Sequence, residues 1–385
     1  MVESPVVYAA VVLLLAGVFP AVAARFPARL FEVLPPIVLS YAASTALAMA
    51  GCWRAAPGID GVRTAILAHL LPALVFLMLV RCDLRAVAAL GPRVLGAAAC
   101  STLSIIAGVI VAWLLWRPWL AADGWQVLAS LGATWTGGTA NLVAVSRAID
   151  SPADTVSLAL VADTVCYTGW VLALFASVPL AARFNRWAGA VDSAAVVARP
   201  AVPRVERFVP ADAAVWLGGG LLVGAAAAAV AGLLPAFGVL TANSWTLLIV
   251  TAAGALAAST PLARLPGSDA VASILLAVVV VTMASSASLD GLTRAPAFVA
   301  AGATILAIHA ALMVAAARLF RLDLALCGIA SLANVGGVGS APVLAAAHAP
   351  ALAPVGVLLG LLGYVVGTPV GLALAALLPR LGGGR

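Results

Sequence analysis

The sequence predicts an all-α, multi-pass membrane protein made of two inverted repeats of about five to six helical segments, each with a broken helix. Three observations support this fold class. First, 64% of the 385 residues are hydrophobic and only 9% are charged, whereas a soluble domain is about half apolar and a quarter charged. Second, the mean hydropathy is +1.17. Third, a glycine pair interrupts an apolar run at corresponding places in the two halves of the chain.

The helical segments follow from apolar runs separated by Arg, Pro or Asp. A bilayer crossing takes roughly 20 apolar residues, and twelve runs approach or exceed that length. The N-terminal run is too long for a signal-peptide core and lacks a basic segment before it, so we expect a retained first span. The runs lie near 6–24, 33–53, 64–80, 93–116, 125–147, 155–182, 213–234, 238–258, 269–286, 295–317, 325–347 and 351–378.

A polar connection divides these runs into two halves. Residues 185–212 are rich in Arg and Pro near their end and predict a linker between a first repeat at 1–184 and a second at 213–385. Aligning the two glycine pairs also aligns a Pro-containing turn after each pair and brings Tyr167 near Tyr364. We therefore predict an internal duplication, with scaffold spans first in each repeat and a broken core helix at 135–141 and at 334–340.

Membrane orientation depends on whether the glycine-bearing runs cross the bilayer fully or enter and return. Arginines favour the loops after the first, third, eighth and tenth runs. If the glycine-bearing runs do not count as full crossings, all of these loops face the cytoplasm, which favours inverted repeats with both termini outside. Both alternatives remain open from the sequence, because each places the same total number of arginines inside.

The glycine pairs predict a binding site. Glycine weakens a helix interior by about 1 kcal/mol relative to alanine, and unpaired backbone survives at membrane depth only inside protein or beside a wet cavity. A half-helix N-terminus then offers N–H donors to an anion, and a C-terminal end offers carbonyls to a cation. The predicted solute-binding residues are Thr136, Gly137, Gly138, Thr139, Asn141, Asn334, Gly336, Gly337 and Ser340.

Asp163 is the candidate coupling residue, because it is an acid inside an otherwise uncharged span. An ionisable group in a span marks a functional site by default. It could bind Na⁺ directly or exchange a proton, or it could be a structural carboxyl that accepts hydrogen bonds from Thr164, Tyr167 or unwound backbone. The predicted ion-coupling set is Asp163, Thr134, Ser331 and Tyr167. Asp83 and Asp290 lie at span edges and are given little functional weight.

Residue usage excludes several classes of activity. All 20 basic residues are Arg, so no lysine is present for a nucleotide-binding P-loop or a Schiff base. Motifs of metallopeptidases and serine hydrolases are absent from the sequence, which argues against an enzyme. We expect no cofactor, with Na⁺ as the one candidate ion, and the net charge of +6 reflects loop arginines rather than nucleic-acid binding.

Several motifs carry a resemblance to a known family. CDLR at 82–85, WTGGTANLVAV at 135–145, ADTVCYTGW at 162–170, ANVGG at 333–337 and GYVVGT at 363–368 resemble the YjcL-like family of bacterial and plastid membrane proteins, domain of unknown function 819. The sequence departs from the family pattern at Pro342. That family is similar in layout to bile-acid/sodium and glutamate/sodium symporters, which implies an elevator-type transporter with a moving core.

The predicted function is secondary active transport of a small organic solute, such as a carboxylate, an amino acid or a small peptide, coupled to Na⁺ or H⁺. The core would contain the two broken spans and the spans that follow them. The first, second, seventh and eighth spans would form the scaffold and a homodimer contact. We expect the protein in the inner, cytoplasmic membrane with the lipid bilayer around it. The alternative is a monovalent cation/proton antiporter.

Overall fold

The structure is a computed structural model that describes residues 3–26, 36–53, 57–80, 82, 84–191, 208–237, 240–285 and 294–381. The span-edge residues Asp83 and Asp290 lie outside these residues, as do residues 192–207, which are most of the predicted linker. Within the described ranges the protein is all-helical, without a β-strand, and seven helices are long and apolar enough to cross a membrane. The prediction of an all-α, multi-pass membrane protein is confirmed at this level.

The residues described before position 192 form ten helices. The third, Pro57–Ala65, continues through a π-helical turn at Ile66–Leu70 into the fourth. The helices are α1 (Pro5–Arg25), α2 (Pro36–Met49), α3 (Pro57–Ala65), α4 (Leu71–Leu79), α5 (Leu84–Ala88), α6 (Gly91–Trp116), α7 (Gly124–Gly137), α8 (Thr139–Ala148), α9 (Ala153–Ser177) and α10 (Ala181–Ala188).

Seven further helices lie in the described residues after the linker. They are α11 (Pro210–Ala231), α12 (Ala242–Ala257), α13 (Ser268–Ala284), α14 (Ala295–Phe320), α15 (Leu324–Val335), α16 (Gly337–His348) and α17 (Ala353–Leu381). The glycine-bearing helices α7 and α15 begin 200 residues apart, and so do α9 and α17, which follow them. The regular offset agrees with the pairing of segments that the sequence indicates.

The glycine-bearing runs are helical hairpins and do not continue straight. Ser130 on α7 and Ser146 on α8 are hydrogen-bonded, with 2.9 Å between their hydroxyl oxygens. Sixteen residues of straight helix would separate them by about 24 Å, so α8 folds back along α7. In the second half, a Cβ placed on Gly328 of α15 would lie 3.4 Å from the Leu344 side chain of α16. Of the two alternatives that the sequence left open, the structure has the segments turning back.

The helices pack in two groups. Helices α1 to α4 and α11 to α13 pack together, and glycines on α11 and α12 allow close contact with the buried helix α4: a Cβ on Gly254 would lie 2.6 Å from the Cβ of Leu79. The second group comprises α6 to α9 and α14 to α17, around both hairpins. We call the first group the scaffold and the second the core. The sequence assigns four of these segments to neither group. In the structure, α3–α4 and α13 pack in the scaffold, and α6 and α14 pack in the core.

Candidate solute and cation site

The first hairpin turns at Gly138, between α7 and α8. Gly138 has φ +83°, a conformation that side chains with a Cβ rarely adopt. The turn leaves carbonyls of α7 without helical partners, and the Asn141 side chain supplies one: its Nδ2 donates to the Gly137 carbonyl over 2.5 Å. Thr368 of α17 donates to Asn141 Oδ1 over 2.6 Å. The Asn141 amide, 3% exposed, therefore ties the first tip to α17.

The second hairpin turns at Gly336 and Gly337, and Gly337 has φ +63°. Asn334 lies in the last turn of α15 and is 5% exposed. Unlike Asn141, it forms no hydrogen bond to the described residues of its own hairpin: its Nδ2 donates to the Ser101 and Thr102 hydroxyls of α6, over 3.0 and 3.1 Å. The two asparagines that the sequence treats as equivalent therefore have different partners.

One face of α17 brings the two tips together, because glycines recur along it at a spacing of three or four residues. Close to Gly360 lie Gly337 and Val338 of the second tip, and close to Gly363 lies Thr136 of the first. Three residues of helix rise by about 4.5 Å, so the tips meet near one level of α17. Small residues at such spacing let helices approach closely in membranes.

The hairpins reach this level from opposite ends of α17. Toward the N-terminus of α17, Gly356 packs against Ala341, a residue of α16 that lies farther from the second tip than Val338 does. Toward the C-terminus, Gly371 packs against Ala133 and Val145, farther from the first tip. The two hairpins therefore point toward each other, which is the arrangement that oppositely oriented segments produce.

Helix α9 runs alongside both hairpins. At its start, Thr155 donates to Asp123 Oδ2 at the base of the first hairpin over 3.1 Å. Just beyond its end, Asn185 Oδ1 accepts from the Leu324 N–H at the base of the second hairpin over 2.9 Å. Helix α17 begins at the base of the second hairpin and ends beyond the first, so α9 and α17 run in opposite directions along the tips.

The aligned tyrosines face opposite tips. A Cβ on Gly138 of the first tip would lie 3.4 Å from the Tyr364 ring, and a Cβ on Gly336 of the second would lie 2.9 Å from the Tyr167 ring. Each tip is thus faced by the tyrosine from the helix that follows the other hairpin. The two tyrosines, which occupy similar places in the two halves of the sequence, therefore also occupy similar places relative to the two tips.

Asp163 lies on α9 beside the first tip. Its Oδ1 accepts a hydrogen bond of 2.7 Å from the indole N–H of Trp135, a fully buried side chain next to Thr136. Thr164, which the sequence offers as a hydrogen-bond donor to Asp163, donates to the Leu160 carbonyl of its own helix. The donor to Asp163 is Trp135. Asp163 and Tyr167 are one helical turn apart, which places them on the same side of α9.

A second polar cluster lies behind the second tip and includes the buried His309 of α14. Ser104 uses its hydrogen on the Ser101 carbonyl (2.7 Å), so it can only accept from His309 Nδ1 (2.6 Å). His309 Nε2 lies 2.8 Å from the Ser331 hydroxyl oxygen, which accepts from the Trp170 indole N–H over 2.9 Å. Both ring nitrogens of His309 therefore have hydrogen-bond partners inside the core.

A cavity of about 390 Å³ lies between α6, the first tip, α15 and α17. This volume is within the range of about 300–1,000 Å³ for small-molecule sites. Its polar side chains are Thr102, Thr136 and Asn334, from three different helices. The rest of the lining is apolar or glycine: Leu95, Ala98, Ala99, Leu103, Ala330, Leu359, Leu362, Gly363 and Val366.

The predicted site residues fall into three places. Thr136 and Asn334 line the cavity, whereas Gly137, Asn141 and Gly336 hold the tips in place. Gly138 and Thr139 are partly exposed at the first turn. At the second turn, the buried Ser340 Oγ has no hydrogen-bond partner within the described residues. Of the predicted ion-coupling residues, Asp163, Thr134 and Tyr167 lie near the tips, while Ser331 belongs to the His309 cluster.

Several residues of this site are not among those that the sequence predicts. Ser101 and Thr102 are unremarkable hydroxyls in an alanine-rich helix, and Thr368 lies in an ordinary apolar span. The glycine spacing of α17 was a usable signal, since small residues three and four apart predict a close helix contact. The residues that it involves are Gly356, Gly360, Gly363, Gly367 and Gly371.

A protein-family model matches nearly the whole chain. A family described as "Protein of unknown function (DUF819)" matches residues 7–381, which include both hairpins and the helices that follow them. No curated protein matches the chain significantly. Within the described residues, no group of three or more His, Cys, Asp or Glu side chains is placed to hold a metal ion.

Proposed function

The chain belongs to the DUF819 family, and from the geometry of its site we propose that it is a secondary active transporter of a small organic solute. The observation that carries the proposal is the pair of opposed hairpin tips that meet on α17 beside a cavity. Broken or re-entrant helices that meet between oppositely oriented repeats are the usual construction of transporter sites. Such a site needs no cofactor and leaves backbone groups available for solute and ion.

The proposal assigns the cavity to the solute and Asp163 to coupling. Thr136 and Asn334 offer hydrogen-bonding groups in an apolar lining, which is how small-molecule sites fix a ligand. Asp163 is held by Trp135, the residue next to Thr136. A cation or proton bound at Asp163 would therefore act on the tip that lines the cavity, and this proximity is the proposed physical link between ion and solute.

Movement of the core against the scaffold would give the site access to each side in turn. The contacts between the two groups are mainly apolar, with few hydrogen bonds to break. Tyr41 of the scaffold donates to Ser157 over 2.5 Å, and Thr241 and Ser244 donate to the Ala148 carbonyl over 3.3 Å. We propose an elevator mechanism in which both hairpins, α6, α9, α14 and α17 travel together. In the same proposal a homodimer, formed through the scaffold in the inner membrane, holds the scaffold still.

Solute-dependent currents in proteoliposomes test the proposal. Purified protein is exposed to pools of carboxylates, amino acids, dipeptides and amides under an inward Na⁺ or H⁺ gradient. We expect a current that requires both a solute pool and one of the two gradients, and that Asp163→Asn abolishes. Asp150→Asn makes the same chemical change at an exposed carboxylate in a salt bridge with Arg147 (3.7 Å) and should retain the current.

Two outcomes would contradict the proposal. Exchange of Na⁺ or K⁺ for protons without any organic solute would instead identify a monovalent cation/proton antiporter. An unchanged gradient-driven current in Asp163→Asn would reject the coupling role of that carboxylate while leaving solute transport in place.

A further inference from the structure

The hydrogen-bonding groups of the cavity define the chemistry of the solute it takes. Ser101 donates its hydroxyl hydrogen to the Ala330 carbonyl over 3.1 Å, so toward Asn334 it can only accept. This fixes the orientation of the Asn334 amide: Nδ2 faces Ser101 and Thr102, and the carbonyl oxygen Oδ1 is the group left over. Within the described residues, Oδ1 accepts no hydrogen bond, although the side chain is 95% buried (5% exposed) and lines the cavity.

The neighbouring hydroxyl has the complementary capacity. Thr102 accepts from Asn334 Nδ2 over 3.1 Å, and its own hydrogen is donated to no described residue. A hydroxyl can both donate and accept, so Thr102 retains a donor at the cavity wall. Thr136 differs, because its hydroxyl donates to the Gly132 carbonyl over 2.8 Å and keeps only acceptor capacity.

The lining carries no charge to pair with a charged solute group. None of the residues around the cavity is Arg, His, Asp or Glu. Burying an ionised carboxylate among apolar side chains without a partner costs several kcal/mol. A ligand group in this cavity should therefore be neutral, should accept from Thr102, and should donate to Asn334 Oδ1.

We propose that the cavity binds an uncharged amide group, either a carboxamide or a peptide bond, carried on a small apolar solute. The amide carbonyl accepts from the Thr102 hydroxyl, and the amide N–H donates to Asn334 Oδ1. The apolar part of the solute packs against the leucine and alanine side chains of α6 and α17. The inference rests on the proposed transport function and narrows its solute class to amides rather than free carboxylates.

Three probes with one carbon skeleton test this chemistry on the full-length protein. Isovaleramide has both an acceptor and a donor, methyl isovalerate has only the acceptor, and isovalerate has the acceptor with a negative charge. Their affinities are measured by the thermal stabilisation of purified protein. We expect isovaleramide to bind about tenfold more tightly than either of the other two, because each of those leaves one buried hydrogen bond unmade.

A matched pair of variants separates binding chemistry from folding. Thr102→Ser keeps the hydroxyl and should keep the preference for isovaleramide. Thr102→Val keeps the shape of the side chain but removes the hydroxyl, which is both the donor to the solute and one of the two acceptors of Asn334 Nδ2, and should lower isovaleramide affinity about tenfold, to that of the ester. A cooperative melting transition of each variant without probe establishes that both are folded, and Ser101 still accepts from Asn334 Nδ2 in both.

Each further result has a defined meaning. Preference for isovalerate, equal binding of amide and ester, or no stabilisation by isovaleramide would overturn the amide proposal. Stabilisation by Na⁺ that Thr102→Val removes would overturn it in favour of a cation in the cavity. Counterflow of labelled isovaleramide in proteoliposomes tests transport separately: binding without counterflow would reject the transport function and leave the amide site standing.

Discussion

Replacing Gly360 by alanine tests whether the second hairpin tip packs directly on α17. A Cβ at this position would lie 2.7 Å from the Val338 nitrogen and 2.9 Å from the Gly337 carbonyl carbon and the Val338 Cα. Favourable carbon contacts are about 3.5–4.0 Å, so the methyl group overlaps its neighbours by close to 1 Å. All three neighbours are backbone atoms, which no side-chain rotation can move aside.

The expected magnitude follows from two opposing terms. Overpacking of a close contact costs about 1–3 kcal/mol, whereas alanine improves a helix interior over glycine by about 1 kcal/mol. The net loss at Gly360 should therefore reach about 2 kcal/mol at most, on the same terms. The matched control is Gly169→Ala on α9, where the added Cβ has no described heavy atom from beyond its own stretch of helix within 4 Å, so the helical gain of about 1 kcal/mol stands alone.

The assay is the apparent melting temperature of both purified variants in the same detergent, followed by binding of isovaleramide. We expect Gly360→Ala to melt below the wild type and to bind the probe more weakly, because the second tip must shift away from α17. Gly169→Ala should melt at or above the wild type. Equal or higher stability of Gly360→Ala relative to Gly169→Ala would refute the packing of the tips on α17.

Three further predictions concern the hairpins and the coupling residue. In a cysteine-free background, Ser130→Cys with Ser146→Cys should form a disulfide, because their oxygens are 2.9 Å apart; two free thiols under oxidation would contradict the hairpin. Trp135→Phe removes the donor that holds Asp163 Oδ1 in place and should weaken stabilisation by Na⁺ about tenfold, the value of one hydrogen bond to a charged group; unchanged Na⁺ affinity would exclude the indole as a positioning group for Asp163. Asn141→Ala should cost about 1–3 kcal/mol of stability by leaving the Gly137 carbonyl unpaired. In a double-mutant cycle with Thr368→Val the two changes should couple by at least 0.5 kcal/mol, whereas simple additivity in melting experiments would argue against the contact of Thr368 with Asn141.

The sequence was most informative where a residue conflicted with its surroundings. Glycine pairs and asparagines in apolar runs predicted where the chain breaks, and the structure has turns at Gly138 and at Gly336–Gly337. Asp163 stood out for the same reason, and it lies beside the first tip. These signals are local, because the cost of placing such groups in a membrane does not depend on the rest of the fold.

The remaining features depend on contacts between distant parts of the chain. Whether the glycine-bearing runs cross or return was open, because both alternatives satisfied the distribution of arginines; the contact of Ser130 with Ser146 decides it. The partners of Asn334 are 232 and 233 residues away in sequence, and hydroxyls in an alanine-rich helix give no sign of such pairing. The two asparagines looked equivalent in sequence, yet one stabilises a turn and the other presents an acceptor to the cavity.

The central claim, that the core carries its site across the membrane against a fixed scaffold, is tested most directly by distances between spin labels. One label replaces Leu222 on α11 of the scaffold and the other replaces Leu172 on α9 of the core, both exposed positions, in a cysteine-free background. With and without Na⁺, and between pH 5 and pH 8, we expect two populated distances that differ by one helical turn, about 5 Å, or more. The control pair at Leu172 and Leu312, both in the core, should keep one distance. A single unchanged distance between scaffold and core under every condition would contradict the account.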